Sequence, residues 1–447
     1  MRLLELTSWP LEPFVARKLK GLAERGVAVT VASPVSARRA RSGIKGVKLV
    51  RLPRPGESRI ASALWVLRDA LVLALRDSGR LARLLRGVRP LKLLRIALPL
   101  VLAEPDVVHF EWIPHAARYL PLFDPLERPI AVSCRGPGIN ILPHTGLRVG
   151  HPRSFGSASY AEFASNYPAV FARAAAVHCV SEAIASEAER YGLDPAKAHV
   201  IRPSVDTAFF SPGRPIDSAE FRVASIGFLS WVKGHADGLT AVASLAREGV
   251  PISYQIIGHE PQPGAAMASD RERLLYLIHE LGLTDRVQLT GALSREQVRD
   301  RLRASHVLLH PSYSEGIANS VIEAMSCALP VVVTDVGGMG EVLTDGVHGF
   351  LCPPREPHAF ADALRSIWQD KALARRLGQA GRTRVLADFS ASGEIEAFVE
   401  FYAQLEEAQM MAGRSRPPRA ALPAIGDEWT AARLRTLSPP ATDSDAG

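Results

Sequence analysis

The sequence predicts an α/β protein of two doubly wound domains that face each other across a cleft. Three observations carry this expectation. The chain has 447 residues, more than one hydrophobic core usually supports. Short β-branched runs alternate with amphipathic helical stretches, which is the rhythm of a parallel sheet covered by helices on both faces. That rhythm stops at the proline- and glycine-rich stretch 202–215 (RPSVDTAFFSPGRP) and then restarts. The composition, 47% apolar and 22% charged, is that of a globular chain rather than a disordered or fibrous one.

In the first half, 3–7, 27–32, 47–52, 107–110, 130–133 and 177–180 read as strands, and 13–25, 60–86 and 181–191 as helices. Pro13 suits a first helical turn, where its missing N–H is no loss, and Gly26 suits the residue just past a helix end. In the second half, strands are expected at 222–226, 254–257, 287–289, 307–310 and 330–334. Helices are expected between and after them at 235–247, 270–281, 294–304, 318–327 and 358–369. The domains therefore fall at 1–205 and 221–390, with a linker at 206–220 and a closing helix, 391–410, packing back on the first domain. Beyond it, 411–447 is rich in Pro, Arg, Ala, Ser and Asp without periodicity, and reads as a disordered tail. Open α/β sheets bind ligands at the carboxyl ends of their strands, so the cleft is the expected site.

Four cysteines, Cys134, Cys179, Cys327 and Cys352, stand far apart with no CxxC pair. This spacing fits neither a zinc site nor a disulfide framework and suits a reducing cytoplasm. The start, MRLLELTSWP, reads as a first strand rather than a secretory signal. No apolar run reaches the roughly 20 residues that span a bilayer. The expected location is cytoplasmic, either free or peripheral on the inner face of the membrane.

The formal net charge is +7, and residues 59–95 alone hold nine Lys/Arg against two Asp/Glu. Leu64, Trp65, Leu67, Leu71, Val72, Leu75, Leu81, Leu84 and Leu85 recur through this stretch at roughly helical spacing. Two readings stand level. A basic amphipathic helix can lie on an anionic membrane surface. A domain helix can instead pack its leucines on a sheet and turn its arginines to water, since amphipathicity alone does not separate core from bilayer. Trp65 is the one aromatic residue in the run, which argues against a single-strand nucleic-acid surface, and no nucleic-acid partner is expected.

Chemistry concentrates in the second half. Strand 222–226 runs into Gly227-Phe-Leu-Ser-Trp-Val-Lys233-Gly234-His235 and then a helix. A glycine at the strand end permits a tight turn, the helix start offers free N–H groups to an anion, and Lys233 adds a point charge. The loop is neither a Walker motif nor a G-x-G-x-x-G fingerprint. Strand 307–310 is followed by Pro311-Ser-Tyr-Ser-Glu315-Gly-Ile-Ala-Asn-Ser-Val-Ile-Glu323-Ala-Met. Glu315 falls in the loop at the strand's end, and Gly316 to Asn319 open the next helix. Glu323 lies further along it among apolar neighbours, where a carboxylate needs a partner, and sugar hydroxyls supply one.

From Gly227 to about Pro354 these residues resemble the donor domain of the group 1 (family 4) glycosyltransferases, retaining enzymes of the two-Rossmann-domain GT-B architecture. Lys233-Gly234, Glu315 to Glu323, and Ala328-Leu329-Pro330-Val331-Val332 match the family's motifs in order. Val336-Gly337-Gly338-Met339-Gly340-Glu341 and Asp345-Gly346-Val347-His348-Gly349-Phe350 follow them. The resemblance implies a hexose-type sugar moved from a nucleotide-diphosphate sugar to a saccharide or lipid-linked acceptor, in cell-envelope or exopolysaccharide biosynthesis. It implies Glu315 as the catalytic residue, holding the donor sugar with the N–H groups of Gly316, Ile317, Ala318 and Asn319. Lys233, in the loop of Gly227 and Gly234, would take the diphosphate, Glu323 the ribose hydroxyls, and Leu293 the base. No metal and no cofactor are implied.

The chain departs from the family in three places. Phe228 stands where an arginine often binds phosphate, so another cation, Arg202 or Arg135, would have to supply that charge. Arg135, followed by Gly136, stands where the acceptor domain often has histidine, and arginine is no base near neutrality. Ser8-Trp9-Pro10 replaces a short glycine pair. His109, His115 and His144 are acceptor contacts or, more simply, structural groups. The rival readings are a nucleotide-sugar epimerase of the same architecture and a non-catalytic relative that binds membrane or nucleic acid.

Overall fold

The computed structural model describes all residues except 9, 36–41, 54–57, 89–92, 142, 144–147, 150–157, 160–163, 215, 217, 262–268, 412 and 414–447. His144, Trp9 and most of the expected tail lie outside the described residues.

The alternation of the sequence becomes two parallel sheets. The first contains β1 (Arg2–Leu6), β2 (Ala28–Pro34), β3 (Val47–Leu52), β4 (Val107–Phe110) and β5 (Ile130–Cys134). A short antiparallel hairpin, β6 (Arg148–Val149) and β7 (Ala158–Ser159), stands apart, and β8 (Ala176–Cys179) and β9 (Ala198–Val200) complete the sheet in the order β3-β2-β1-β4-β5-β8-β9. The second sheet holds β10 (Phe221–Ile226), β11 (Ile252–Ile257), β12 (Val287–Gly291), β13 (Val307–His310), β14 (Val331–Thr334) and β15 (Phe350–Cys352). Its order is β12-β11-β10-β13-β14-β15. Every residue of β4, β5, β13 and β14 is buried, which is why these strands are mostly apolar rather than alternating. In each sheet the winding reverses once, between β1 and β4 and between β10 and β13. Loops at such a reversal splay apart and leave a crevice.

The expected helix 60–86 is broken in two, Arg59–Arg76 and Ser78–Gly87. Asp77 breaks it: its carboxylate accepts from the Arg80 N–H at 2.7 Å and caps the second helix. Helix Leu94–Leu102, which carries Pro99 inside it, was not expected. Nor was Lys371–Asp388, capped by Asp370.

The stretch expected as a linker is packed. Val205 and Phe210 are buried in the second domain's core, and Arg303 donates to both the carbonyl and the hydroxyl of Ser211. The chain crosses between domains at two adjacent points, where the Val205 N–H donates to the Phe389 carbonyl at 3.0 Å. After the second crossing, helix Ala391–Met411 lies on the first domain. There Ile395, Phe398, Phe401, Tyr402 and Leu405 share a core with Leu3, Val15, Leu19 and Val29. A Cβ at Gly21 would stand 2.0 Å from the Ile395 Cδ1, so glycine sets the helix spacing here.

A chain of hydrogen bonds ties this helix to the sheet. The Tyr402 hydroxyl meets His109 Nδ1 at 2.7 Å, His109 Nε2 meets Ser133 Oγ at 2.8 Å, and Ser133 Oγ meets His178 Nδ1 at 2.7 Å. His178 Nε2 lies 2.9 Å from the Ile201 carbonyl. A carbonyl only accepts, so the proton on His178 sits on Nε2 and every earlier donor is fixed in turn, back to the tyrosine. Burial holds both imidazoles well below their usual pKa, and therefore neutral. His109 is accordingly a structural group of the core.

Beside this chain lies a buried charge network. The Lys18 ammonium donates to Glu111 and, at 3.3 Å, to both oxygens of Glu5. Arg135 pairs with Glu111 at 2.5 Å. Burial raises the Glu5 carboxyl well above its usual pKa. Burial also acts on Glu111, but Arg135 and Lys18 outweigh it and hold that carboxylate ionised. The ligand atoms of Glu5, His109 and Glu111 lie within 4.8 Å of one another, and the cation among them is Lys18.

Candidate active site

Because β10 and β13 are neighbours, the loops that follow them meet. The Tyr313 N–H and the Ser312 hydroxyl both donate to the Val232 carbonyl, at 2.7 and 3.0 Å. Gly234 closes the first loop at φ +61°, where a Cβ would stand 1.9 Å from the Pro311 carbonyl oxygen. No other residue type fits there. This close approach brings Lys233 Nζ to 2.7 Å from Glu315 Oε1. His310, the last residue of β13, donates from Nε2 to the same oxygen at 2.8 Å. Burial of Glu315 favours its protonated form, but Lys233 and His310 outweigh it and hold the carboxyl well below the usual range. It is a carboxylate with two donors on one oxygen.

Glu323 is set differently. It lies on helix Asn319–Ser326, partly buried, and its carboxylate makes no hydrogen bond or ion pair with another described residue. Burial pushes its carboxyl up to about 7, against the opposing pull of Arg295 and Arg17. Arg17 belongs to the first domain, so the field across the cleft reaches this residue. At the start of the same helix the first N–H groups have no intrahelical acceptor, Ile317 and Ala318 are buried, and the Asn319 Oδ1 is buried without a protein partner.

The first domain presses on this loop. A Cβ at Gly316 would lie 2.7 Å from Val180 Cγ2 and 3.1 Å from the Gly136 nitrogen. Asn140 Nδ2 donates to the Glu315 carbonyl at 3.4 Å. From the other side the Gly338 N–H donates to the Gly316 carbonyl at 2.7 Å. The site residues therefore sit with Gly136 against them across a closed cleft.

Other expected residues are placed elsewhere. Arg135 is committed to Glu111, with its guanidinium 4.7 Å from the Phe14 ring centre. Arg202 pairs with Glu341 at 2.7 Å. Neither arginine stands as a spare cation beside Lys233. Phe228, in the place of the phosphate-binding arginine, packs edge-to-face on His259 at 4.9 Å. Leu293 is partly buried just past β12, two strands away from Lys233. His115 is neutral, its imidazole pushed down to about 4 by burial. Sequence reasoning missed the part played by Glu341. Besides Arg202, its carboxylate accepts from the Ala183 N–H at 3.1 Å, so it caps a helix of the opposite domain and clasps the two together. It also missed His310, whose signal was its position, five residues before Glu315 at the end of a strand.

Two family models match the chain. Glycosyl transferases group 1 covers residues 206–384, and the glycosyl transferase 4-like domain covers 11–204. The chain belongs to the group 1 glycosyltransferases of GT-B fold. Two solved structures share its architecture at low identity. HepE of Anabaena, solved with UDP-glucose, is 17% identical with a TM-score of 0.65, over 90% of this chain and 100% of its own. Sucrose-phosphate synthase of Thermosynechococcus elongatus is 19% identical with a TM-score of 0.70, over 91% of this chain and 100% of its own. Among curated relatives, the D-inositol 3-phosphate glycosyltransferase of Mycolicibacterium vanbaalenii is 33% identical over 221 residues, 47% of this chain and 48% of that protein. That of Kineococcus radiotolerans is 31% identical over 233 residues, 47% of this chain and 53% of that protein. The chain thus spans about half the length of the curated relatives it matches.

Within this GT-B framework the raised Glu323 makes a pH-dependent contribution of known sign. Its folded pKa, about 7, exceeds the ordinary carboxyl value, so folding favours the protonated form. The penalty of the buried charge is absent at low pH, grows from about pH 4.5 to about 7, and is constant above that. Glu323→Gln is therefore expected to stabilise the ligand-free protein by about 3 kcal/mol at pH 8 and by less than about 0.5 kcal/mol at pH 4.5. Urea unfolding at the two pH values measures the difference, and an equal effect at both would remove the assignment.

Proposed function

We propose that the chain transfers a hexose-type sugar, with retention of anomeric configuration, from a nucleotide-diphosphate sugar to an acceptor held by the first domain. The observation that carries this reading is the Lys233–Glu315–His310 constellation at the β10/β13 reversal, beneath the start of helix Asn319–Ser326. In this reading the anomeric carbon–oxygen bond to the diphosphate breaks and the sugar gains oxocarbenium character. Charge growing on the departing diphosphate is met by Lys233 and the free N–H groups. The acceptor oxygen bonds to the anomeric carbon, and its proton leaves with the diphosphate. Glu315 holds the sugar, Glu323 accepts from the ribose hydroxyls, and Leu293 packs against the base. The reading asks for no metal, because the ammonium and the helix terminus supply the positive charge.

For the acceptor we propose a saccharide or lipid-linked saccharide of the cell envelope, glycosylated at the inner face of the membrane. With Arg135 already neutralised by Glu111, a strongly anionic acceptor gains no support from that residue. UDP is the first donor nucleotide to test, since the Anabaena neighbour was solved with UDP and with UDP-glucose.

A thermal-shift screen against UDP, GDP, ADP, TDP and their common sugars tests the donor site. At about a hundred times its dissociation constant a ligand adds roughly 2.7 kcal/mol of stability. One nucleotide is expected to stabilise the wild type and lose its effect on Glu323→Ala. If none stabilises the folded protein, the donor assignment is wrong. Conversion of the donor with no acceptor present would instead favour an epimerase.

A further inference from the structure

Helix Arg59–Arg76 shows two unlike faces. On the inner side Leu73 is buried and Val66 and Ala70 pack against the first domain's core. On the outer side Ile60, Leu64, Leu67, Leu71 and Leu75 are each between 58% and 76% exposed. At about 100° per residue these five fall within a sector of roughly 80°, and Leu85 on the following helix adds to the apolar surface. The periodicity read from the sequence therefore has two parts. Leu73 and Leu84 face the core, while a continuous stripe of five large apolar side chains faces outward. Among the described residues nothing covers that stripe, and exposed apolar patches on a water-facing surface mark an interaction site.

The charge around the stripe selects its partner. Arg68 borders it, with 62% of its side chain exposed, and the exposed Arg83 and Arg86 flank Leu85. Arg68, Arg76 and Arg83 also reach Asp69, Glu104 and Glu127, while the exposed Arg86 donates to the Ala82 carbonyl, and the sequence of 59–95 as a whole, the buried Arg80 included, holds nine cations to two acids. A second copy seated face to face would set two such basic segments against each other. The chain's own residues 414–447 hold five arginines and four acids, so they bring no surplus of negative charge, and prolines interrupt their apolar residues.

We propose that this face docks on an anionic lipid bilayer, with the leucines among the acyl chains and the arginines at the level of the phosphates. The stripe runs along the length of helix Arg59–Arg76, so that helix lies parallel to the surface, and no helix among the described residues is long and apolar enough to cross a membrane. It is carried by the domain that the functional proposal assigns to the acceptor. Membrane binding itself does not depend on that assignment.

The test is flotation of the full chain with phosphatidylglycerol/phosphatidylcholine vesicles or with pure phosphatidylcholine vesicles. It compares the wild type with Leu67→Glu/Leu71→Glu, whose sites are solvent-exposed and whose melting temperature should be unchanged. The wild type should partition to the anionic vesicles at about 50 mM salt and lose at least roughly tenfold in partitioning at about 500 mM. It should lose a similar factor on pure phosphatidylcholine and in the double variant. Absence of binding to anionic vesicles at low salt overturns the proposal. So does binding that the double variant leaves intact, or a wild-type dimer that the double variant converts to monomer.

Discussion

Replacing Glu315 by glutamine lowers turnover by roughly a hundredfold to a thousandfold without weakening the binding of the nucleotide alone. Glutamine keeps the shape of the side chain and an oxygen for His310 and Lys233. What it removes is the negative charge that these two donors stabilise through Oε1. In the free protein that charge holds Lys233, so a diphosphate has to compete for the ammonium. Without it Lys233 is fully available, and nucleotide affinity is unchanged or improved. Lys233→Met has the opposite signature, losing nucleotide affinity first. Steady-state kinetics together with calorimetric titration of the nucleotide separates the two. If Glu315→Gln turns over like the wild type, the carboxylate is structural and the catalytic assignment falls.

Glu111→Gln is expected to destabilise the first domain by about 3–5 kcal/mol, the usual result of removing one partner from a buried ion pair. Glu111 is the ionised group that Lys18 and Arg135 share. Once it is neutral, two largely buried cations are left with Glu5, whose own carboxyl burial drives toward the protonated form. A loss of this size lowers the melting temperature by roughly 10 °C for a domain of this length. Adding Lys18→Met removes one stranded cation and should restore part of the loss, a coupling that a double-mutant cycle measures. A shift of less than a degree in the single variant would show that the network is hydrated and weak.

The fold was legible where one residue pattern had one cause. Residues 47–52, 107–110 and 307–310 are strands at the expected bounds, because β-branched runs bracketed by turn residues have few other uses. Helix His235–Arg247 also coincides with its expected bounds, since Gly234 stops the preceding loop. Helix Leu94–Leu102 was hidden by Pro99, which a short helix tolerates when the lost hydrogen bond falls near its end. The site was half legible. Spacing put Glu315 at a strand end, but nothing in it shows that Lys233 and His310 converge on one oxygen, a consequence of adjacent strands whose paired residues, Val223 and Val307, are 84 apart in sequence. Long-range polar pairs escaped in the same way. Glu341 with Ala183, or Glu111 with Lys18, share no local pattern. For the basic stretch the sequence supplied the helical period without its phase, and only packing decides which leucines turn outward.

The double crossing between the domains bears on the order in which the protein is made. The core under β1 and β2 is not closed until Ile395, Phe398 and Tyr402 arrive from near the far end of the chain. During synthesis the second domain, contiguous from about 206 to 389, emerges with all its strands and can fold first. The first domain leaves the ribosome earlier yet waits with Val15, Leu19 and Leu22 uncovered until the last helix is released. The usual amino-to-carboxyl sequence of domain folding is thus reversed for its final step, and a chain stalled before residue 391 would be a natural client for a chaperone.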